Sequence, residues 1–253
     1  MHLDAKEIDS FFSIGYLVRP QVFAKDEVAS MRQAFDRLQQ AASRLPATCM
    51  HRGAQFVVSP AGSGRERVRI HRVVWCGAAE PVLATFGSDL RLLRMASQLL
   101  GSSRMNQLIN QAHFKLPHDG VEFPWHQDSV HRRYGRGEWQ DANGRGSYVQ
   151  TLVAVDDMTE ENGPLQFLPG SCRLGHCGLP EGELPDKESD PERAVTVTMR
   201  AGDVALFGPY TFHRSLPNRS DAPRRAFING FAYPGANARL YPGRGAGRLL
   251  SVG

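Results

Sequence analysis

From residue 104 onward the chain is a series of short β-type runs cut by turn residues, and this pattern limits the fold more than any other feature. The runs are Met105–Lys115, Tyr148–Val155, Leu165–Leu168, Ala194–Met199, Val204–Phe207, Tyr210–Ser215 and Arg224–Tyr233. Pro117-His118-Asp119-Gly120, Asn162-Gly163-Pro164, Pro169-Gly170, Ala201-Gly202-Asp203 and Pro217-Asn218 separate them, and these are residue types that turns require. Many short strands with regular punctuation predict a β-sandwich or jelly roll.

Helical patterns lie mostly before residue 104. Residues 4–13 predict a short helix, with Asp4 as cap, Glu7 three residues on, and Ile8, Phe11 and Phe12 as its apolar face. Residues 25–43 place Val28, Met31, Phe35 and Leu38 on one stripe. Residues 89–100 form a third helix, capped by Ser88 or Asp89 and stopped by Gly101. Residues 46–64 read as loop around one short strand, Phe56–Ser59, and Arg67–Trp75 alternates like a strand whose polar side carries Arg67, Arg69 and His71. The glycine-rich tail is expected to be loosely ordered. No repeat and no second core is visible, so the expectation is one domain over 1–253, mainly β, with helices 4–43 and 89–100 packed on a jelly roll.

With 41% hydrophobic and 22% charged residues the chain can bury a sizeable core. The net charge of +4 is scattered, with no basic run interleaved with aromatics, so nucleic acid is not implied. Met1–Glu7 has neither a basic nor an apolar leader region, and no apolar run reaches membrane-spanning length. Cys49, Cys76, Cys172 and Cys177 form no Cys-x-x-Cys pair; Cys172, His176 and Cys177 lack the second ligand pair of a zinc knuckle. Free thiols in a reducing cytoplasm are the expectation.

Within Phe123-Pro124-Trp125-His126-Gln127-Asp128 lies a His-x-Asp pair. Residues i and i+2 of a strand share a face, so His126 and Asp128 are expected to reach one ion from a strand end. His213 closes an otherwise apolar run, Val204 to Phe212, and is the best third ligand. Two histidines and one carboxylate on one face, with positions left open, is the Fe(II) oxygenase arrangement. Downstream, Arg224-Arg225 enters an apolar strand, where alternation sends one arginine inward and the other to water. A buried guanidinium needs an anion, and a ligand carboxylate fits its planar fork. Residues 129–147, with four Gly and four Arg, read as a long loop of the kind that forms lids or substrate contacts. Arg69, His71, Arg132, Arg133, Tyr134 and Trp139 are the candidate substrate residues.

Taken in order, these pieces resemble the phytanoyl-CoA dioxygenase-like branch of the Fe(II)/2-oxoglutarate oxygenases. The resemblance rests on Gly15-Tyr16-Leu17-Val18, Lys115, Trp125-His126-Gln127-Asp128, Val155-Asp156-Asp157, Glu161-Asn162-Gly163-Pro164-Leu165, Pro169-Gly170-Ser171, Gly202-Asp203-Val204, His213-x-Ser215-x-x-Asn218-x-Ser220 and Arg224-Arg225. It implies a double-stranded β-helix (cupin-like jelly roll), with Fe(II) on His126, Asp128 and His213. It also implies Arg224 on the distal carboxylate of 2-oxoglutarate with Ser215 assisting; Gln111 is a further candidate for the carboxylate nearer the metal. Family members often have His after Pro-Gly-Ser where this chain has Cys172, a position that is not a ligand. Halogenating relatives lose the His-x-Asp carboxylate, so Asp128 implies oxygen transfer with O2 as cosubstrate. The implied enzyme is a cytoplasmic hydroxylase of a small molecule, a monomer or homodimer, without nucleic-acid or membrane partners. Two other readings stay open at this point: a metal-binding jelly-roll sensor without turnover, and a zinc hydrolase built on His118, His126 and His131.

Overall fold

Two long antiparallel strands, β5 and β12, centre the molecule. In the computed structural model, which describes residues 1–61, 68–185 and 190–253, the elements run in order as follows. First come α1 (Ala5–Ile14), β1 (Tyr16–Arg19), α2 (Lys25–Ala42), β2 (Cys49–His51), β3 (Ala54–Pro60) and β4 (Val68–Val74). Then come α3 (Cys76–Ala79), α4 (Pro81–Gly87), α5 (Leu90–Leu100), β5 (Arg104–Lys115), β6 (Phe123–His126), α6 (Asp128–His131) and β7 (Tyr148–Ala154). The rest is mainly strand: β8 (Leu165–Phe167), β9 (Val195–Val197), β10 (Val204–Phe207), β11 (His213–Ser215), β12 (Arg224–Ala232) and β13 (Arg248–Ser251). A nine-stranded sheet has the order β1-β10-β7-β12-β5-β4-β3-β2 with β13 also on β5, and a four-stranded sheet has the order β6-β11-β8-β9. All pairings between these strands are antiparallel. The expected jelly roll with helices outside is therefore the architecture found, with open sheets.

The large sheet is covered on both faces, and the pleat decides which residue faces which layer. On β12, Phe227 and Phe231 join the core beneath the helices, while Ala226, Ile228 and Ala232 join the core facing the small sheet. On β10, Val204 and Leu206 take the helix side, and Ala205 and Phe207 the other. A strand buried on both faces loses its polar alternation and reads as a continuous apolar run, as β10 does. The helices meet this sheet through α2 (Val28, Met31, Ala34, Phe35, Leu38) and α5 (Leu92, Leu93, Met95, Ala96, Leu99). At α1, Asp4 accepts from the Glu7 amide at 2.9 Å and Glu7 accepts from the Asp4 amide at 2.8 Å, the reciprocal box the sequence predicts.

Three expectations need correction. Residues 46–64 hold a hairpin, β2 with β3, rather than one strand in a loop. The tail is ordered: Arg248–Ser251 pairs with Arg104–Gln107. β4 covers only Gln111–His113 of that edge of β5, so the other end of the strand would otherwise leave its backbone groups unpaired. The strand expected over Tyr210–Ser215 is limited to its last three residues, because Thr211 turns inward and its hydroxyl donates to the Gly15 carbonyl at 2.7 Å. No sequence expectation covered 76–87, where α3 and α4 lie; Pro81 at the start of α4 was the available signal. Arg67 lies outside the described residues.

Beneath α3 and α4 the sheet buries polar side chains that bond to one another, with Asn229 Nδ2 left without a partner among the described residues. Asn110 Oδ1 accepts from the Gly77 amide at 2.8 Å, and its amide donates to Asn229 Oδ1 at 2.9 Å. Gln107 Nε2 donates to the same Asn229 oxygen and to the Gly87 carbonyl, both at 2.8 Å. A Cβ on Gly87 would sit 2.4 Å from Asn110 Nδ2 and 2.6 Å from Asn229 Oδ1. Asn110→Ala is expected to lose about 1–3 kcal/mol by orphaning these partners. Gly87→Ala is expected to lose about 1–3 kcal/mol by overpacking. Urea unfolding measures both; an unchanged midpoint in both variants would show that the polar network does not hold these helices.

Candidate active site

His126 ends β6 and His213 begins β11, and the two are direct cross-strand partners. Their ring centroids are 4.2 Å apart. The strand stops at His126, so Asp128 is not on it, contrary to expectation: Asp128 is the first residue of the helical turn α6. The intervening Gln127 fixes that change of direction. It is 1% exposed, its amide donates to the Tyr210 carbonyl at 2.7 Å and the Gly175 carbonyl at 2.8 Å, and its oxygen accepts from the Cys177 amide at 2.9 Å. The result brings one ligand atom each from His126, Asp128 and His213 to within 4.8 Å of one another.

The hydrogen bonds around the three leave the right atoms free. His126 Nδ1 donates to the Pro124 carbonyl at 2.7 Å and His213 Nδ1 to the Thr211 carbonyl at 2.9 Å. With Nδ1 spent on a carbonyl in each ring, Nε2 is the atom left to face an ion. Asp128 Oδ2 is buried with no hydrogen-bond partner among the described residues, a costly state unless a cation meets it. Burial, then the proximity of His126, lowers the His213 pKa to about 3. Burial works against ionised Asp128, but His213, Arg132, His126 and His131 together hold it below the ordinary carboxylate range. Two imidazoles and a carboxylate in one largely buried cluster suit a divalent transition metal.

Next to the cluster stand two buried basic side chains. Arg224 is 3% exposed and pairs in register with Lys115, 1% exposed, across β12 and β5. Arg224 Nη2 donates to the Gly163 carbonyl at 2.5 Å, and its Nε has no partner among the described residues. Gly163 itself has φ +86°, and a Cβ there would lie 2.6 Å from the Leu216 carbonyl oxygen and 2.8 Å from Lys115 Cδ. Lys115 Nζ donates to the carbonyls of Ser215, at 3.1 Å, and Leu216. Neither meets a carboxylate among the described residues. Burial lowers Arg224 to about 10; burial and then Arg224 lower Lys115 to about 6. Arg225, one residue on, points the other way: its Nε and Nη1 meet Asp156 at 2.7 Å and Asp36 at 2.6 Å.

A cavity of about 560 Å³ opens over the cluster. His126, Asp128, His213, Arg224, Ser215, Gln111, Arg132 and Arg133 all line it. Arg69 and His71 do not. β4 carries a bulge opposite Val57–Val58, which inserts His71 and turns Arg72 and Val74 into the cavity instead; His71 Nε2 is spent on Ser59 Oγ at 2.6 Å. Tyr134 and Trp139 do not line it either. They stack at 5.0 Å in the core and both donate to the Gly146 carbonyl, which ties 129–147 down as a packed wall rather than a free flap. Of the zinc alternative, His131 does lie beside His126, at 5.1 Å between rings, but His118 is exposed on Asp221. Cys172 and Cys177 are free, and His176 bonds Ser129. Arg72, His113, Gln150, Arg239 and Tyr241 line the cavity without having been anticipated. Arg72 was hidden by the bulge, and Arg239 and Tyr241 by the glycines around them.

Comparison with known proteins agrees with this geometry. An ectoine dioxygenase of Sphingopyxis alaskensis is 29% identical over 252 residues, 89% of this chain and 75% of that protein. A methylphosphonate hydroxylase of Gimesia maris is 26% identical over 226 residues, 88% of this chain and 78% of that protein. The crystal structure of EctD from S. alaskensis with 2-oxoglutarate and 5-hydroxyectoine superposes with a TM-score of 0.72 at 27% identity, covering 95% of this chain and 79% of that one. The family model of phytanoyl-CoA dioxygenase (PhyH) matches residues 12–226, a span that holds the histidine–aspartate cluster, both buried basic side chains and every strand from β1 to the start of β12, and the chain belongs to that family.

Proposed function

We propose that this enzyme, an Fe(II)- and 2-oxoglutarate-dependent dioxygenase, hydroxylates a small-molecule metabolite in the cytoplasm, working as one domain and as a monomer or homodimer. The observation that carries the reading is the pairing of an open three-ligand cluster with two buried basic side chains that meet no carboxylate among the described residues. No helix among the described residues is long and apolar enough to cross a membrane, which suits a dissolved substrate.

In this reading His126 and His213, through Nε2, and Asp128, through its free oxygen, hold Fe(II). Bound Fe(II) supplies O2 activation, coupled to decarboxylation of 2-oxoglutarate to succinate. The protein's part is positioning. Arg224 fixes the distal carboxylate of the cosubstrate, with the Ser215 hydroxyl beside it, Lys115 behind the cavity wall and Gln111 towards the carboxylate nearer the metal. Gln111 Oε1 is bonded to His113 Nε2 at 2.8 Å, and burial keeps His113 neutral, with its pKa lowered to about 3. That bond orients the glutamine amide as a donor. Ile109, Leu152, Phe207 and Ile228 form the apolar part of the wall and limit water around the reacting end.

The first test is of the metal. His126→Ala, Asp128→Ala and His213→Ala are each expected to abolish Fe(II)-dependent succinate release with the far-ultraviolet circular dichroism unchanged. Full activity in His213→Ala would break the ligand assignment. A sensor without turnover would instead release no succinate even in the wild type.

A second test reads 2-oxoglutarate affinity on Mn(II)-loaded protein. Charge-assisted bidentate bonds contribute on the order of 1.5–3 kcal/mol. Arg224→Ala should weaken binding at least about tenfold, since about 1.4 kcal/mol is one decade. Arg224→Lys should recover only part, for want of the planar fork. Arg225→Ala should leave affinity close to wild type, because its partners are Asp156 and Asp36. A silent Arg224→Ala would remove 2-oxoglutarate from the site.

Lys115 gives a pH signature. Its pKa is lowered to about 6 in the protein alone, by burial and then by Arg224. A bound carboxylate raises it, so binding above that pH takes up a proton. Affinity should therefore fall as pH rises past about 6 and level off once the pH exceeds the liganded value. Lys115→Met should flatten the slope; a slope that persists in Lys115→Met would assign the proton to another group.

A further inference from the structure

The substrate end of the cavity is built by a segment outside the family match. The match ends at residue 226, whereas Arg239, Tyr241 and Pro242 line the cavity. Contacts between aromatic rings and guanidinium groups tie this segment to the turn that carries Asp128. Arg132, just after α6, lies 5.1 Å from the Tyr148 ring centroid and 5.2 Å from that of Tyr241. Arg239 lies 5.0 Å from the same Tyr241 ring, and its Nη1 donates to the His131 carbonyl at 2.5 Å. The chain of contacts Tyr148–Arg132–Tyr241–Arg239 thus runs from the core to the cavity wall and seats the last guanidinium over the Tyr241 ring. The backbone supports it, through a bridge between Trp139 and Asn237 and one between Tyr241 and Gly245.

The charges at this end do not balance. Arg72, Arg133, Arg136, Arg214 and Arg239 line the cavity, against Glu181 as the one acid beyond Asp128 among the described residues. Glu181 faces His131 at 3.6 Å and Arg133 pairs with Glu138 at 2.8 Å. Arg72, Arg136 and Arg239 have no carboxylate within 4.0 Å among the described residues. Tyr241 is 9% exposed and lines the cavity, and its buried hydroxyl makes no well-aligned hydrogen bond among the described residues, although the Arg132 guanidinium lies close to it. A buried hydroxyl and a stacked, acid-free guanidinium side by side are short of one oxyanion.

We propose that Arg239 and Tyr241 form an anion subsite, and that the substrate is a small organic anion whose carboxylate or phosphate group is held there while its reacting carbon faces the His126–Asp128–His213 cluster. This deepens the oxygenase reading and rests on it. Stacking on Tyr241 pre-organises the fork, so little rotamer freedom remains to be lost on binding. The same contacts make residues 233–247 the segment that sets substrate choice.

The test uses full-length protein loaded with Mn(II) and saturating 2-oxoglutarate, probed with acetate and with sulfate at constant ionic strength by thermal shift. One of the two is expected to stabilise the wild type saturably, acetate the more tightly for a carboxylate substrate and sulfate for a phosphate. Arg239→Gln should weaken that anion at least about tenfold. Tyr241→Phe, which keeps the ring, should weaken it severalfold, and Arg239→Lys should bind between wild type and Arg239→Gln. No saturable shift with either anion, or wild-type affinity in Arg239→Gln, overturns the subsite. If Arg239→Gln does not fold, wild-type affinity in Arg239→Lys and Tyr241→Phe together overturns it. Binding of 2-oxoglutarate to the wild type is followed separately: its absence sinks the oxygenase reading, while its presence without a saturable anion sinks only the subsite.

Discussion

The pleat of β12 sends two adjacent arginines to opposite sides of one sheet, and the site depends on that separation. Arg225 faces the helices and finds Asp156 and Asp36. Arg224 faces the cavity and finds a carbonyl and, among the described residues, no acid. A slip of one residue would exchange them, placing a salt-bridge network in the cavity and an unpaired guanidinium under α2. The register is over-determined, because β12 is paired along its length with β5 on one side and β7 on the other. Phe227 and Phe231 anchor the helix face of the same strand, so hydrophobic burial enforces the placement of a charged group that contributes nothing to the core itself.

The small sheet does for the His126–Asp128–His213 cluster what the large sheet does for Arg224. Pairing β6 with β11 puts His126 opposite His213, and a backbone carbonyl two residues before each histidine fixes the imidazole tautomer. The third ligand cannot come from the same strand face, because β6 ends. Gln127 converts the strand into α6, and the Ser129 amide closes that turn by donating to the Pro209 carbonyl at 3.0 Å. The backbone that carries Asp128 is thus held from both sides before any ion is considered.

Much of this was legible in the sequence because it depends on local chemistry. The Asp4–Glu7 box, the apolar stripes of α2 and α5, and the turn residues between strands each specify their own element. The His-x-Asp pair and the distant His213 stood out because imidazoles are rare in apolar strands, and the Arg224-Arg225 doublet because a strand must split it. What was not legible depends on pairing at a distance. The bulge at His71 exists only against β3, and it moved the cavity-facing arginine from Arg69 to Arg72. Tyr134 and Trp139 sit in a glycine- and arginine-rich stretch that resembles a mobile loop, yet their rings are core because the C-terminal segment and Gly146 close over them. The tail, read as loose for its glycines, becomes a strand and a cavity wall because β5 offers an edge that β4 leaves free.

Burying Arg224 and Lys115 side by side is unfavourable in the protein alone, since burial lowers both pKa values and Arg224 lowers that of Lys115 further. The fold carries that strain because the surrounding sheet is buried on both faces and the site is a small part of it. If the dianionic cosubstrate binds at Arg224, as proposed, it would relieve that strain, and affinity for 2-oxoglutarate and stability of the domain would be two readings of one electrostatic imbalance. At one hundred times its dissociation constant, a ligand that binds only the folded state stabilises it by about 2.7 kcal/mol. The cationic wall around Arg239 repeats the same imbalance further out, so the cavity is short of negative charge at both ends among the described residues.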